Sequence, residues 1–401
     1  MRDLYNRMTP ILRPLADRVR APLVGRLLAR TARLNSAIDL PFDQDPLYKT
    51  YLHVGAHPLG ILGGVSDVRP LLASDYINLS CRKTSTDFKE TCIVPRCPIG
   101  HFVHSGHCEV LDRKERPAFA MRKSRQLIQW LIDKICEGGY VFLHVNKYYI
   151  PRSPFYLRQD VPHDCLITGY DGKKASFRIA TFLDSGEYGV TDVSFSRMAM
   201  AMTLPGSETV LGDYICHFPA AIAIRPKHGM QLRFDPGAAH RNLRNYLYSS
   251  PPAGGIYARD DIEYVGDWNM LFGYPSESHS YGLEAFFCIV ANIKAAVIES
   301  RRIDLRDTRV LWEHKQILGS NIEFWRGHGN EAISDEMREL YADVCKWAGA
   351  LHFMCVAYNF RFPDSADELQ VHLDEFGLIL ELEKEILSRT LSGLELRNAK
   401  L

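Results

Sequence analysis

The chain has no net charge: 48 lysines and arginines balance 48 aspartates and glutamates over 401 residues. No global field therefore recommends a nucleic acid or a membrane surface as partner. Long apolar runs are missing too. The longest, such as Phe286–Val290 and Val141–Val145, are broken well short of the roughly 20 residues that cross a bilayer, so no integral membrane segment is expected. The N-terminus alternates leucine and arginine where an export signal would carry an apolar core, which points to the cytoplasm. Ten cysteines lie scattered without a short repeating framework, the pattern of reduced thiols. Gly60-Ile61-Leu62-Gly63-Gly64 lacks the lysine that would engage a nucleotide phosphate. No stretch interleaves aromatic and basic residues as an RNA-binding surface would. Neither a cofactor nor a nucleic-acid partner is expected.

What remains is an ordinary globular composition, 46% hydrophobic and 24% charged, in a chain long enough for two or three domains of about 150 residues. Residues 1–35 carry eight arginines against two aspartates, with leucines interleaved; Pro14, Pro22 and Gly25 divide them into two short amphipathic pieces. We take 1–41 as a basic N-terminal extension, 42–218 as a first domain and 219–401 as a mainly helical second one. In the first, Leu47–Leu62 reads as a helix ended by Gly63-Gly64, with a loop-rich stretch beyond it to about Pro117. Ser124–Glu137 has a clear apolar stripe (Leu127, Ile128, Leu131, Ile132, Ile135). Tyr140–Tyr149, Val161–Gly169 and Ala175–Leu183 are rich in strand formers, with Asp171-Gly172 as a hairpin turn. Helix and then antiparallel strands is an α+β layout. In the second, helical periods cover Pro236–Ser250, Tyr281–Ile303, Thr308–Trp325, Ser334–Tyr358 and Asp367–Leu391.

Two stretches carry a resemblance. Phe155 to Asp171, with Pro162-His163-Asp164 and Gly169-Tyr170-Asp171 inside it, resembles the histidine segment of peptidase C39-like proteins encoded beside nonribosomal peptide assembly lines. That group includes the butirosin biosynthesis protein H type. Ile303-Asp304-Leu305-Arg306 with Trp312-Glu313-His314-Lys315 resembles a helix of the same accessory proteins. The resemblance implies a papain-like scaffold, a bacterial natural-product setting, and an acyl or aminoacyl thioester delivered on an acyl- or peptidyl-carrier protein to a small-molecule amine. A thiol protease or acyltransferase needs a histidine to take and return a proton and a third group to orient it. His163 on one strand and Asp184 at the end of the returning strand fit those roles, because cross-strand neighbours sit about 5 Å apart.

By that resemblance the nucleophilic cysteine begins the first helix, and a glutamine about six residues earlier supports the oxyanion. Gln44 fits the glutamine, but six residues on stands Thr50, and no cysteine precedes Cys81. A threonine hydroxyl is a much poorer nucleophile than a thiolate. Three readings stay open. His163 could activate an amine directly against a thioester, with Gln44 and backbone donors holding the oxyanion. A displaced cysteine, Cys81 foremost, could reach the site and make the protein a cysteine-type hydrolase. Or the scaffold could be catalytically silent and serve an assembly line as a binding subunit.

Other constellations are weaker. Cys92 and Cys97, with His101, His104, His107 and Cys108 beyond, match no zinc-binding spacing, and no metal is expected there. His53 and His57 share a helix face at i, i+4, where packing or exposure is the plainer role. Glu313-His314-Lys315 lacks the second histidine of a metal helix and reads as a polar contact where the two domains meet. Arg13, Arg18, Arg20, Arg26 and Arg30 are read as a dock for an acidic carrier protein.

Overall fold

A computed structural model describes residues 36–50, 55–82, 91–94, 111–117, 124–202, 220–251, 279–361 and 366–398. The basic segment 1–35 and the cysteine and histidine cluster from Cys97 to Cys108 lie outside them. In chain order the elements are β1 (Ala37–Asp39), α1 (His57–Gly63), α2 (Arg69–Asp75), β2 (Asn78–Arg82), β3 (Thr91–Val94) and β4 (Leu111–Pro117). Next come α3 (Ser124–Cys136), β5 (Tyr140–Asn146), β6 (Pro162–Asp171), β7 (Ser176–Phe182), β8 (Tyr188–Ser194), α4 (Phe195–Met202) and β9 (Ala220–Pro226). The last group is α5 (Pro236–Leu247), β10 (His279–Tyr281), α6 (Gly282–Ile298), α7 (Leu305–Gly327), α8 (Asp335–Arg361), α9 (Ala366–Asp374) and α10 (Phe376–Asn398). Helices and antiparallel sheet together make the fold α+β. No described helix is long and apolar enough to cross a membrane.

The chain divides into two compact units that interleave in sequence, where the sequence reading drew one boundary at 218/219. The described residues of the first are 36–46, 55–65, 111–117, 124–202 and 220–230; those of the second are 47–50, 66–82, 91–94, 231–251, 279–361 and 366–398.

The first unit is built on an antiparallel sheet in the order β4-β9-β5-β6-β7-β8, with β1 pairing the far end of β6. One sheet face carries Val141, Leu143, Val145, Cys165, Ile167, Phe177, Ile179 and Val193, which pack against the stripe of α3 and against Phe195, Met198 and Ala199 of α4. Burying each such Leu, Ile or Val is worth about 1.5–3 kcal/mol, so this layer supplies most of the unit's cohesion. The period of two along each strand leaves Tyr140, Phe142 and His144 of β5 on the opposite face. There Phe42 approaches Tyr140 and Tyr188 with ring centroids 6.4 Å apart, and His57 of α1 approaches Phe142 at 6.0 Å.

The second unit packs α5 to α10 with α2 and a three-stranded sheet, β10-β2-β3. Buried polar groups on α7 bond to backbone carbonyls of α2 and of the turn between α2 and β2. Asn321 Nδ2 donates to the Leu72 carbonyl at 3.1 Å, Trp325 Nε1 to Ala73 at 3.0 Å and His314 Nε2 to Ile77 at 2.8 Å. The Leu72 carbonyl also accepts the Tyr76 amide, so these donors add side-chain bonds at and just beyond the C-terminal end of α2. They also explain why residues 66–82 fold with the second unit, although the sequence pattern reads them as loop.

Candidate functional site

His163 is the second residue of β6 and pairs with Val145 of β5. The connection before it is held by its own polar groups. Asn146 Nδ2 donates to Asp160 at 2.6 Å, Asn146 Oδ1 accepts from the Tyr148 amide at 3.0 Å, and the Lys147 amide donates to Val161 at 2.8 Å. The His163 side chain is 42% exposed, while that of Asp164, 4% exposed, lies in the protein with Oδ1 2.5 Å from His163 Nδ1. A partly exposed imidazole thus stands beside a buried carboxylate. The contact is at ion-pair distance without hydrogen-bond geometry, since Nδ1 has no hydrogen-bond partner among the described residues.

The acidic partner of His163 is Asp164, in place of the expected Asp184. The β6–β7 ladder runs from Asp171↔Ser176 to Leu166↔Ala180. Beyond it the buried Lys147 Nζ donates both to the Asp164 carbonyl, at 2.8 Å, and to the Thr181 hydroxyl. Asp184 lies exposed in the tight β7–β8 turn, its amide bonded to the Arg152 carbonyl at 2.5 Å. Burial pushes the Lys147 ammonium below its ordinary range, and the charges of Cys165 and Asp164 oppose that shift.

Other polar groups share the face opposite α3 and α4. Asp164 pairs across the strand with His144, and the His144 ring lies 5.5 Å from Phe142. His57 begins α1, where Pro58 sets the start of the helix, and its Nδ1 is 2.9 Å from the Tyr188 hydroxyl. Burial, then the charges of Asp164, Asp43 and Cys165, hold the Tyr188 phenol well above its ordinary range, so it stays protonated and able to donate. Among the described residues this helix runs His57–Gly63, where the sequence pattern reads Leu47–Leu62 as one helix, and residues 47–50 are not helical.

Gln44 and Thr50 fall in different units. Gln44 lines a cavity of about 240 Å³ with Asp39, Phe42, Thr168, Arg178 and Val190, and Arg178 is ion-paired with Asp39. Thr168 stands five residues along β6 from His163, roughly 17 Å of strand. Thr50 belongs to the second unit, where its hydroxyl donates to Glu313 Oε2 at 2.8 Å. The same carboxylate accepts the amides of Lys49 and Thr50 at 3.1 Å each, and its other oxygen accepts from Arg309 Nε at 2.8 Å. Thr50 is thus a strut bonded to a buried carboxylate.

Among the described residues of the first unit, no thiol is both beside His163 and activated. Cys165 faces the core, where burial pushes its thiol up to about 12. Cys136 is exposed, but it lies beside Tyr170, seven residues or roughly 23 Å along β6 from His163. Cys81 lies in the second unit and is fully enclosed.

The Glu313-His314-Lys315 run is structural at each position. Glu313 anchors residues 49–50, and His314 caps Ile77. Burial, aided by the Lys315 charge, holds His314 well below its ordinary range and hence neutral. Lys315 is paired with Glu383 at 2.8 Å, both side chains fully enclosed, and Tyr246 and Tyr341 complete the carboxylate's shell at 3.3 and 2.9 Å. No group of three or more metal-ligating side chains occurs among the described residues. No protein-family model matches the chain, and no curated protein matches it.

Proposed function

We propose that the first unit is an acyl-transfer module in which His163 acts as general base on an amine attacking a carrier-bound thioester. The observation that carries the reading is the half-exposed imidazole with the buried Asp164 carboxylate at ion-pair distance, 2.5 Å from its Nδ1. As the amine nitrogen bonds to the thioester carbon, His163 takes the ammonium proton and Asp164 stabilises the imidazolium. Collapse of the tetrahedral intermediate breaks the C–S bond, and the proton passes to the departing thiolate, so no covalent enzyme intermediate is needed. The partners in this reading are an acyl- or peptidyl-carrier protein and a small-molecule amine, in a bacterial biosynthetic setting on a papain-like scaffold.

The assay is aminolysis of an acyl-pantetheine thioester by the full chain. Asp164→Asn lowers kcat by roughly 10²-fold or more, whereas Thr50→Val, Asp184→Asn and exhaustive alkylation of the folded protein leave it within a few-fold. Loss of activity on alkylation would instead establish a displaced cysteine. A second reading, a silent binding subunit, is favoured by the commitment of the Thr50 hydroxyl to Glu313 and of the Cys165 thiol to the core. It predicts carrier binding with no turnover in the unmodified protein.

A further inference from the structure

We propose that Cys81 and Cys288 form a reversible, peroxide-driven disulfide that clamps α6 onto β2 in the second unit. Cys81 sits on β2 opposite Ser280 of β10. The chain turns at Gly282 into α6, which brings Cys288 back over the strand, and the two sulfurs stand 3.6 Å apart as free thiols. A closure of about 1.5 Å converts that contact into a disulfide bond. The two residues differ in the way that an attacking and a resolving thiol differ. Cys81 is fully buried, while Cys288 is partly exposed, and Asn292 Nδ2, one helical turn on, points at its sulfur at 3.8 Å. A donor beside the sulfur favours the thiolate, the reactive form.

The chemistry balances with hydrogen peroxide as oxidant. The Cys288 thiolate attacks one peroxide oxygen, the O–O bond breaks, and a sulfenic acid and, after protonation, water result. The Cys81 sulfur then attacks the sulfenic sulfur; the S–S bond forms, the S–O bond breaks, and hydroxide leaves with the Cys81 proton as a second water. Two thiols lose two electrons and one peroxide gains them. The clamp ties together segments 207 positions apart, a loop length at which a cross-link restricts the unfolded chain strongly.

The test treats the full chain with hydrogen peroxide, alkylates after unfolding without reductant, and maps the peptides by mass spectrometry. The reduced Cys81 and Cys288 peptides should be lost together, a linked peptide should replace them, and dithiothreitol should restore both. Cys288→Ser should abolish the linked peptide and leave Cys81 alkylatable. Because Cys288 is partly exposed, this variant preserves the packing, and Cys81→Ala provides the reciprocal check. Oxidation of exposed Cys136 while Cys81 and Cys288 both remain alkylatable would overturn the proposal. So would a disulfide from Cys288 to any other cysteine.

Discussion

Lys315 and Glu383 form the costliest arrangement in the second unit, because both charges are fully enclosed and neither is solvated. Burial pulls the Lys315 ammonium below its ordinary range, and the Glu383 carboxylate opposes that. Breaking such a pair from one side strands a buried charge, so Glu383→Ala should cost about 3–5 kcal/mol in urea unfolding. Lys315→Met combined with Glu383→Leu should recover most of it. Equal losses in the single and double variants would contradict this account of the pair. His352 gives a second test at this scale. The Thr308 hydroxyl donates to Leu305 at 3.0 Å, leaving its oxygen to accept from His352 Nδ1 at 2.8 Å. Burial, then the Arg309 charge, lowers His352 from 6.5 to about 4. The unfolded chain therefore binds the additional proton in that window, and stability present above pH 6.5 is lost as the pH falls towards 4. His352→Gln should flatten the fall, read as denaturation midpoint against pH; an unchanged slope would remove His352 as its source.

Among the elements, the entry into α6 is tightly constrained. Gly282 takes φ +56°, and a Cβ there would lie 2.0 Å from the Tyr246 carbonyl oxygen, so clash and backbone strain add. Gly282→Ala should destabilise by about 2 kcal/mol or more, seen as faster amide exchange along β10 and α6. Exchange rates like those of the parent would refute it. Most helices were legible because their apolar periods are long. The stripe of α3 is the one read from Leu127 to Ile135, and α5 to α8 lie within a few residues of their predicted bounds. The expected helix Asp367–Leu391 divides into α9 and α10 around Glu375, a break that the continuous apolar pattern hides. The short α2 and strands β2 to β4 escaped because seven residues or fewer carry too little period to register. The site was half legible. His163 stood out by its Pro-His-Asp setting, but Asp164 did not, since adjacent residues of a strand normally point to opposite faces. Their side chains nevertheless approach each other near the start of β6.

At the scale of the molecule, the two units interleave in sequence, and Thr50 belongs to the second, where its hydroxyl donates to Glu313. Four described residues ahead of α1, from Leu47 to Thr50, fold with the second unit, where Glu313 holds two of them. Reading outward from a glutamine six residues upstream could not reveal that. The basic segment 1–35 lies outside the described residues, and its proposed part is the docking of an acidic carrier. Its deletion should weaken carrier binding at low salt and leave unfolding of the remainder unchanged, with the difference fading as salt shortens the Debye length to about 8 Å. Equal affinities at low salt would contradict the docking role. In the proposed function His163 serves catalysis and not binding. That role is tested most directly by measuring, in the same preparation, carrier affinity and the single-turnover rate of thioester aminolysis for the unmodified protein and His163→Ala. The account predicts unchanged affinity with a rate lower by roughly 10²- to 10⁴-fold. Equal rates in the two proteins, or an unmodified protein that binds the carrier and does not accelerate aminolysis, would contradict it.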